Sequence, residues 1–334
     1  MTRTTLAVSV VICAYTDKRW DDLLQSVASI RNQTYPVKET ILVIDHNSTL
    51  FSRAQKQFPD LIVIENKYES GNSAGRNTGI ERSTGDVVAF IDEDAVAAPD
   101  WVENIVKHLS NPKVFGAGGF ISPIWAAPRP RWFPDEFLWV VGSSYRGMPT
   151  ATQRVRNLIG TNMAYRRELF KKIGGFRTDF GHIGNTPLGC DETEFCIRAN
   201  REIGSNCLIY DPAIRVQHRV PAARTNWKYF MHRCYSEGMS KANLTQVHGG
   251  DKGLSTESNY VLRTLPSGVL NGLVSVVMRG DIYGFGRAVA ITFGLLQTSR
   301  GYIVGKISKL AKRNSGGEKS NAFPALTGLY ETAP

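Results

Sequence analysis

Residues 86–101 read DVVAFIDEDAVAAPDW, where a short apolar run ends directly in Asp92, Glu93 and Asp94. Three adjacent carboxylates repel one another in a partly dry site, and a divalent cation is the simplest way to relieve this. Hard oxygen ligands that leave open positions suit Mg²⁺ or Mn²⁺ holding a diphosphate. The bland reading is a solvated acidic turn ahead of a helix whose N-terminus favours Asp100. A second acidic group, Asp191, Glu192 and Glu194, stands at the head of a predicted helix. The helix macrodipole explains acids at that location but not three within four residues.

Apolar runs near residues 6–15, 40–45, 61–65 and 86–92 predict strands, and Leu23, Leu24, Val27 and Ile30 predict a helix over 22–33. This alternation predicts an α/β architecture with a doubly wound, mostly parallel sheet buried on both faces. Ligands of such sheets sit beyond the carboxyl ends of the strands, where the acidic triplet falls. The first strand ends in Cys13-Ala14-Tyr15-Thr16-Asp17, the second in Asp45-His46-Asn47-Ser48, and the third leads into ESGNSAGRNTGI. Asp and Asn there can hydrogen-bond a ribose or a base edge, and Gly71, Gly75 and Gly79 let backbone approach it. Neither GxGxxG after the first strand nor GxxxxGK[ST] anywhere is present. What remains is a nucleotide held through a metal rather than by a glycine cradle.

Further along, a helix is expected to about Leu109, a strand and helix across NLIGTNMAYRRELFKKIGGF, a helix from Asp191 to about Ile203, and two strands in CLIYD and AIRVQHR. PIWAAPRPRWFPDEFLW has too many prolines for a regular element; it reads as a surface loop packing its own aromatics, or as a lid or acceptor-side wall. Over 225–242, Trp227, Phe230, Met231, Cys234 and Tyr235 share one helical face. LPSGVLNGLVSVVM and AVAITFGLLQ are apolar but interrupted by Arg279, Asp281 and Arg287, so neither is expected to reach the roughly 18 residues a spanning helix needs. With Lys306, Lys309, Lys312 and Arg313 behind them, they read as helices lying on a membrane, or equally as a helical subdomain or homodimer interface. The last twenty residues are expected to be flexible.

At 334 residues, 42% hydrophobic and 21% charged, the composition is that of an enzyme-sized globular protein. A net charge of +10 fits an anionic partner, but no basic, aromatic-interleaved motif points to nucleic acid. Five cysteines without a CxxC pair suit a reducing compartment, hence the cytoplasm. MTRTTLAVSVVICAY reads as a first strand rather than a signal peptide, being poor in charge, rich in β-branched residues and without a cleavage pattern.

In order, VSVVICAY, VIDHNS, GRNTGI, AFIDEDA, GTNMAYRR, CDETEFCIR and VQHR resemble the motif set of the family 2 glycosyltransferases, which have the GT-A fold, across about residues 6–220. The resemblance implies a catalytic domain over 1–222, with a nucleotide-sugar half to about 100 and an acceptor half beyond it. A helical region over 223–313 and a tail over 314–334 follow. It also implies that Ala14, Tyr15, Asp17, Asp45 and Asn47 bracket the nucleoside, with Arg76 and Asn77 in the same pocket. Asp92 and Asp94 match the two aspartates of the DxD motif around Glu93, with Asp94 the better metal ligand and Asp92 nearer the ribose. His218 matches a further metal ligand, and Thr161 and Asn162 would lie beside the donor sugar. Where the family commonly has Glu-Asp, this chain has Asp191-Glu192, so Glu192 falls at the base position with Asp191 as its neighbour.

The implied activity is inverting transfer of a hexosyl group from a nucleotide sugar bound through Mn²⁺ or Mg²⁺, with UDP favoured over GDP. The expected acceptor is a hydroxyl of a lipid-linked glycan or glycolipid at the cytoplasmic face of a membrane. A soluble small-molecule acceptor and a non-catalytic sugar-nucleotide-binding scaffold are the alternatives. No QxxRW motif is present to suggest a processive polysaccharide synthase.

Overall fold

The computed structural model describes residues 5–180, 189–249 and 257–314. Its N-terminal part is β1 (Val8–Ala14), α1 (Trp20–Arg31), β2 (Glu39–Ile44), α2 (Ser48–Gln57), β3 (Ile62–Glu65), α3 (Asn72–Arg82) and β4 (Val87–Asp92). These four strands pair in parallel in the order β3-β2-β1-β4. Val8, Val10, Ile12 and Leu42 on one face and Ile41, Val43 and Val88 on the other have no exposure, so the sheet is covered on both faces. Asn47 caps α2 by accepting from the Leu50 N–H. Gly75 and Gly79 have a role other than ligand approach: a Cβ at either would meet Cys13 or Val11, so they let α3 lie close on β1.

Beyond β4 come β5 (Ala95–Ala97), α4 (Trp101–Leu109), β6 (Gly116–Trp125), a 3₁₀ segment (Asp135–Val141), β7 (Gln153–Arg154), β8 (Asn162–Arg166), α5 (Arg167–Ile173), α6 (Asp191–Ile203) and β9 (Leu208–Val220). The sheet continues as β4-β8-β6-β9-β5, with antiparallel β4/β8, β8/β6 and β9/β5 pairs and a parallel β6/β9 pair. CLIYD and AIRVQHR therefore form one strand rather than two. Its register against β6 jumps from Asp211 to Arg215, which bulges out Pro212, a residue with no N–H for the ladder. Three registers matter for the site: Cys13 opposite Asp92, Ile91 opposite Asn162, and Ala95 opposite His218.

The C-terminal part is α7 (Trp227–His248), α8 (Glu257–Arg279) and α9 (Tyr283–Asn314). The proline-rich passage is neither a surface loop nor irregular throughout. Pro123 and Trp125 lie in β6, and Phe133 and Phe137 are buried against Phe230 of α7, Leu265 of α8 and Ile291 of α9. Its aromatics form the core that joins these helices to the sheet. The interruption expected in the apolar segments is also displaced: α8 runs unbroken for 23 residues with a mean hydropathy of 1.4 over its most apolar window, long and apolar enough to cross a membrane by length and composition. Arg279 and Asp281 fall at the turn between α8 and α9. The tail expected to be flexible, 315–334, lies outside the described residues, as do the side chains of Lys309, Lys312 and Arg313.

Candidate active site

Asp92 ends β4, and Asp94 follows two residues later, just before β5. Antiparallel pairing of β5 with β9 brings His218 alongside, and Asp92, Asp94 and His218 each place a ligand atom within 4.8 Å of the others. His218 is buried; its Nε2 lies 3.3 Å from Asp94 Oδ1, while its Nδ1 has no hydrogen-bond partner. Gly142, with a left-handed φ of 76°, leaves the room for this ring, since a Cβ there would lie 2.9 Å from His218 Cε1. Two carboxylates and one imidazole with an orphaned buried ring nitrogen fit a divalent ion such as Mn²⁺.

The rest of the acidic triplet divides by environment. Burial would raise the Asp94 pKa, but hydrogen bonding and charge from His218, with Arg19 at 3.0 Å, hold it down at about 2. Glu93 turns the other way. It is 2% exposed, meets Arg19 at 3.2 Å and is pushed up to about 8, chiefly by burial. Among the described residues it does not join the cluster formed by Asp92, Asp94 and His218. Asp92 stays the most open of the three, accepting from the Thr161 hydroxyl at 2.6 Å.

Asp191 and Glu192 open α6, and a buried guanidinium connects them to the DxD acids. Arg76 Nη1 donates to Asp191 Oδ2 at 2.9 Å, and its Nη2 lies 3.6 Å from Asp92 Oδ1. Ser73 also donates to Asp191, at 3.0 Å. Arg76 fits here because residue 160 is glycine; a Cβ would come within 2.6 Å of Nη2. Although burial works against its charge, Asp191, Asp92 and Glu192 hold Arg76 protonated. Glu192 is held well above the usual carboxylate range, first by burial and then by the charge and hydrogen bond of Asp191. Glu194 is fully buried and bound to Arg198 at 2.8 Å and to His248 at 3.2 Å, which anchors the helix.

The remaining expected site residues separate into loop-forming and wall-forming groups. Asn47 donates to Asp17 Oδ2 at 3.1 Å and to the Tyr15 carbonyl at 3.2 Å, tying the first two strand-end loops together. Asp45 accepts from Ser70 at 2.7 Å and from the Gly71 N–H at 3.0 Å, adding the third loop. Ala14 is buried at the end of β1, while Tyr15 is 55% exposed. Asn77 and Asn162 engage backbone instead. Asn77 clamps Phe176 through its N–H and C=O, and the fully buried Asn162 accepts from Trp101 Nε1 and donates to the Phe120 and Ile214 carbonyls. These two amides hold the walls of the site. Sequence reasoning missed Arg19 and Ser73, although Arg19 stands only two residues past Asp17 in a loop already singled out.

The family model described as Glycosyl transferase family 2 matches residues 9–174. A Haloferax volcanii protein named glucosyl-dolichyl phosphate glucuronosyltransferase is 37% identical over 240 residues, covering 71% of this chain and 76% of that one. Among solved structures, the mannosyltransferase PcManGT from Pyrobaculum calidifontis, in complex with GDP-Man and Mn²⁺, matches with a TM-score of 0.56 at 19% identity, over 91% of this chain and 86% of that one. GalNAc-T7, solved with UDP, GalNAc and Mn²⁺, matches with a TM-score of 0.52 at 17% identity, over 77% and 55%. Both likenesses place the chain in the GT-A fold.

Proposed function

The chain belongs to the family 2 glycosyltransferases, and we propose that it is a metal-dependent inverting enzyme moving a sugar from a nucleotide sugar to a hydroxyl of a lipid-linked glycan. The observation that carries this reading is Arg76, which reaches both Asp92 and Asp191 and so couples a metal-binding cluster to a candidate base pair. Asp92, Asp94 and His218 would hold Mn²⁺; when bound, the ion stabilises the charge that develops on the departing diphosphate. The hydrogen-bonded strand-end loops carrying Ala14, Tyr15, Asp17, Asp45 and Asn47 would receive the nucleoside, with UDP the favoured nucleotide. Thr161, through its bond to Asp92, would position that carboxylate beside the donor.

Glu192 is the proposed base. It takes the acceptor hydroxyl proton as that oxygen bonds to the anomeric carbon, and the carbon–oxygen bond to the diphosphate breaks on the opposite face, its electron pair leaving with the nucleotide. Asp191 is the weaker candidate, because Arg76 and Ser73 already engage its carboxylate. The lipid-linked acceptor is supported by the name of the Haloferax volcanii relative, which specifies a glucosyl-dolichyl phosphate. We place the enzyme at the cytoplasmic face of a membrane, with a catalytic body over about 1–222 and a helical region over 223–313.

A thermal-shift panel of UDP, GDP, CDP and their sugars, each with Mn²⁺, Mg²⁺ or chelator, tests the donor. A ligand at one hundred times its dissociation constant adds about 2.7 kcal/mol of stability. The expected result is a metal-dependent shift with a uridine nucleotide. A metal-independent shift, or none, would contradict the reading.

A further inference from the structure

The α8–α9 hairpin carries its apolar residues the wrong way round for a helix pair in water. Beside the buried Leu265 and Ile291, its inward contacts are made by small residues: Gly272 lies against the Gly284 carbonyl and Ala288, Gly268 against Glu136, and Gly301 and Gly305 against α7. Most of the other large side chains point outward. Leu270 is 62% exposed, Val277 82%, Met278 76%, Ile282 70%, Phe285 62% and Leu296 58%. Only 17% of the most apolar window of α8 is buried. A surface helix of a globular protein places its large apolar residues on the core and its polar ones outside. Small residues between helices with large apolar ones outside is the pattern of helices whose surroundings are lipid.

The charge of the segment that carries this face favours one occupant. From 257 to 314 the sequence has eight Lys and Arg against two acids, Glu257 and Asp281. Both acids are already paired, Glu257 with Arg156 and Lys241, and Asp281 with Arg287. A second copy docking on the same face would set like charges against each other, whereas an anionic membrane surface complements them. We propose that the outward face of the α8–α9 hairpin docks this protein on an anionic lipid bilayer, its apex of Val277, Met278, Ile282 and Phe285 entering the boundary between headgroups and acyl chains. This deepens the lipid-linked acceptor reading above, but its test does not involve transfer.

The test is flotation of the full chain with phosphatidylcholine vesicles, with and without about one third phosphatidylglycerol. Wild type should float with the anionic vesicles and partition at least about tenfold less onto neutral ones. A Val277→Glu, Met278→Glu, Phe285→Glu variant should lose at least about tenfold of the anionic partitioning, with its circular dichroism and melting temperature unchanged. On wild type itself, anionic vesicles should slow amide exchange within 262–300. Absence of flotation, flotation that the triple variant does not reduce, or a concentration-dependent dimer that the variant abolishes would overturn the proposal, the last by assigning the face to a second copy.

Discussion

Two carboxylates of this site, the buried Asp94 and the half-buried Glu192, carry opposite shifts. Asp94 meets His218 and Arg19 and is held at about 2, while Glu192 meets another acid and is held well above the ordinary range. Burial acts on both in the same direction; the neighbours decide the sign. Environments that push two acids apart allow one to remain a charged ligand while the other exchanges a proton. Arg76 couples the two clusters by pairing with Asp191 and facing Asp92.

The largest effect expected from disturbing this contrast is at the charged end. Asp94→Asn should lower transfer about 10³-fold, the scale for losing a main electrostatic stabiliser, and should abolish the Mn²⁺-dependent rise in melting temperature. Arg76→Met strands Asp191 without its buried cation. A loss of about 3–5 kcal/mol in stability is expected by urea titration, and a loss below 1 kcal/mol would mean that Arg76 does not couple the clusters. The pH profile of kcat sharpens the contrast. As the proposed base, Glu192 would have to be ionised to accept a proton, and its folded pKa is raised, so kcat should increase with pH through a limb above the usual carboxylate range. A limb at ordinary carboxylate pH would point to another base. Thr161→Val, which removes only the hydrogen bond to Asp92, should cost about 1 kcal/mol in donor affinity by calorimetry.

Much of this organisation was legible because it depends on local pattern. Val87–Ile91 running into Asp92 announces a buried strand ending at a candidate metal cluster, and α6 begins at Asp191 and ends at Ile203 as its periodicity indicates. What was not legible depends on residues far apart in sequence. Nothing local distinguishes Asn162, whose amide is enclosed by Trp101, Phe120 and Ile214, from an asparagine facing a sugar. Glu93 sits between two metal-ligand candidates, yet the turn from β4 to β5 leaves it buried beside Arg19 and out of their cluster. Pro212 suggested a strand break, but a bulge against β6 absorbs it. The aromatics around Phe133 resembled a loop because their partners, Phe230 and Ile291, lie about a hundred residues or more downstream.

The most direct test of the division between the two clusters is Glu192→Gln, measured for both transfer rate and Mn²⁺-dependent affinity for the donor. The prediction is a fall in kcat of about 10²–10⁴ with donor affinity unchanged within about twofold. Retained transfer would move the base elsewhere, with Asp191 the first candidate, and a parallel loss of metal-dependent binding would mean that the two clusters do not act separately.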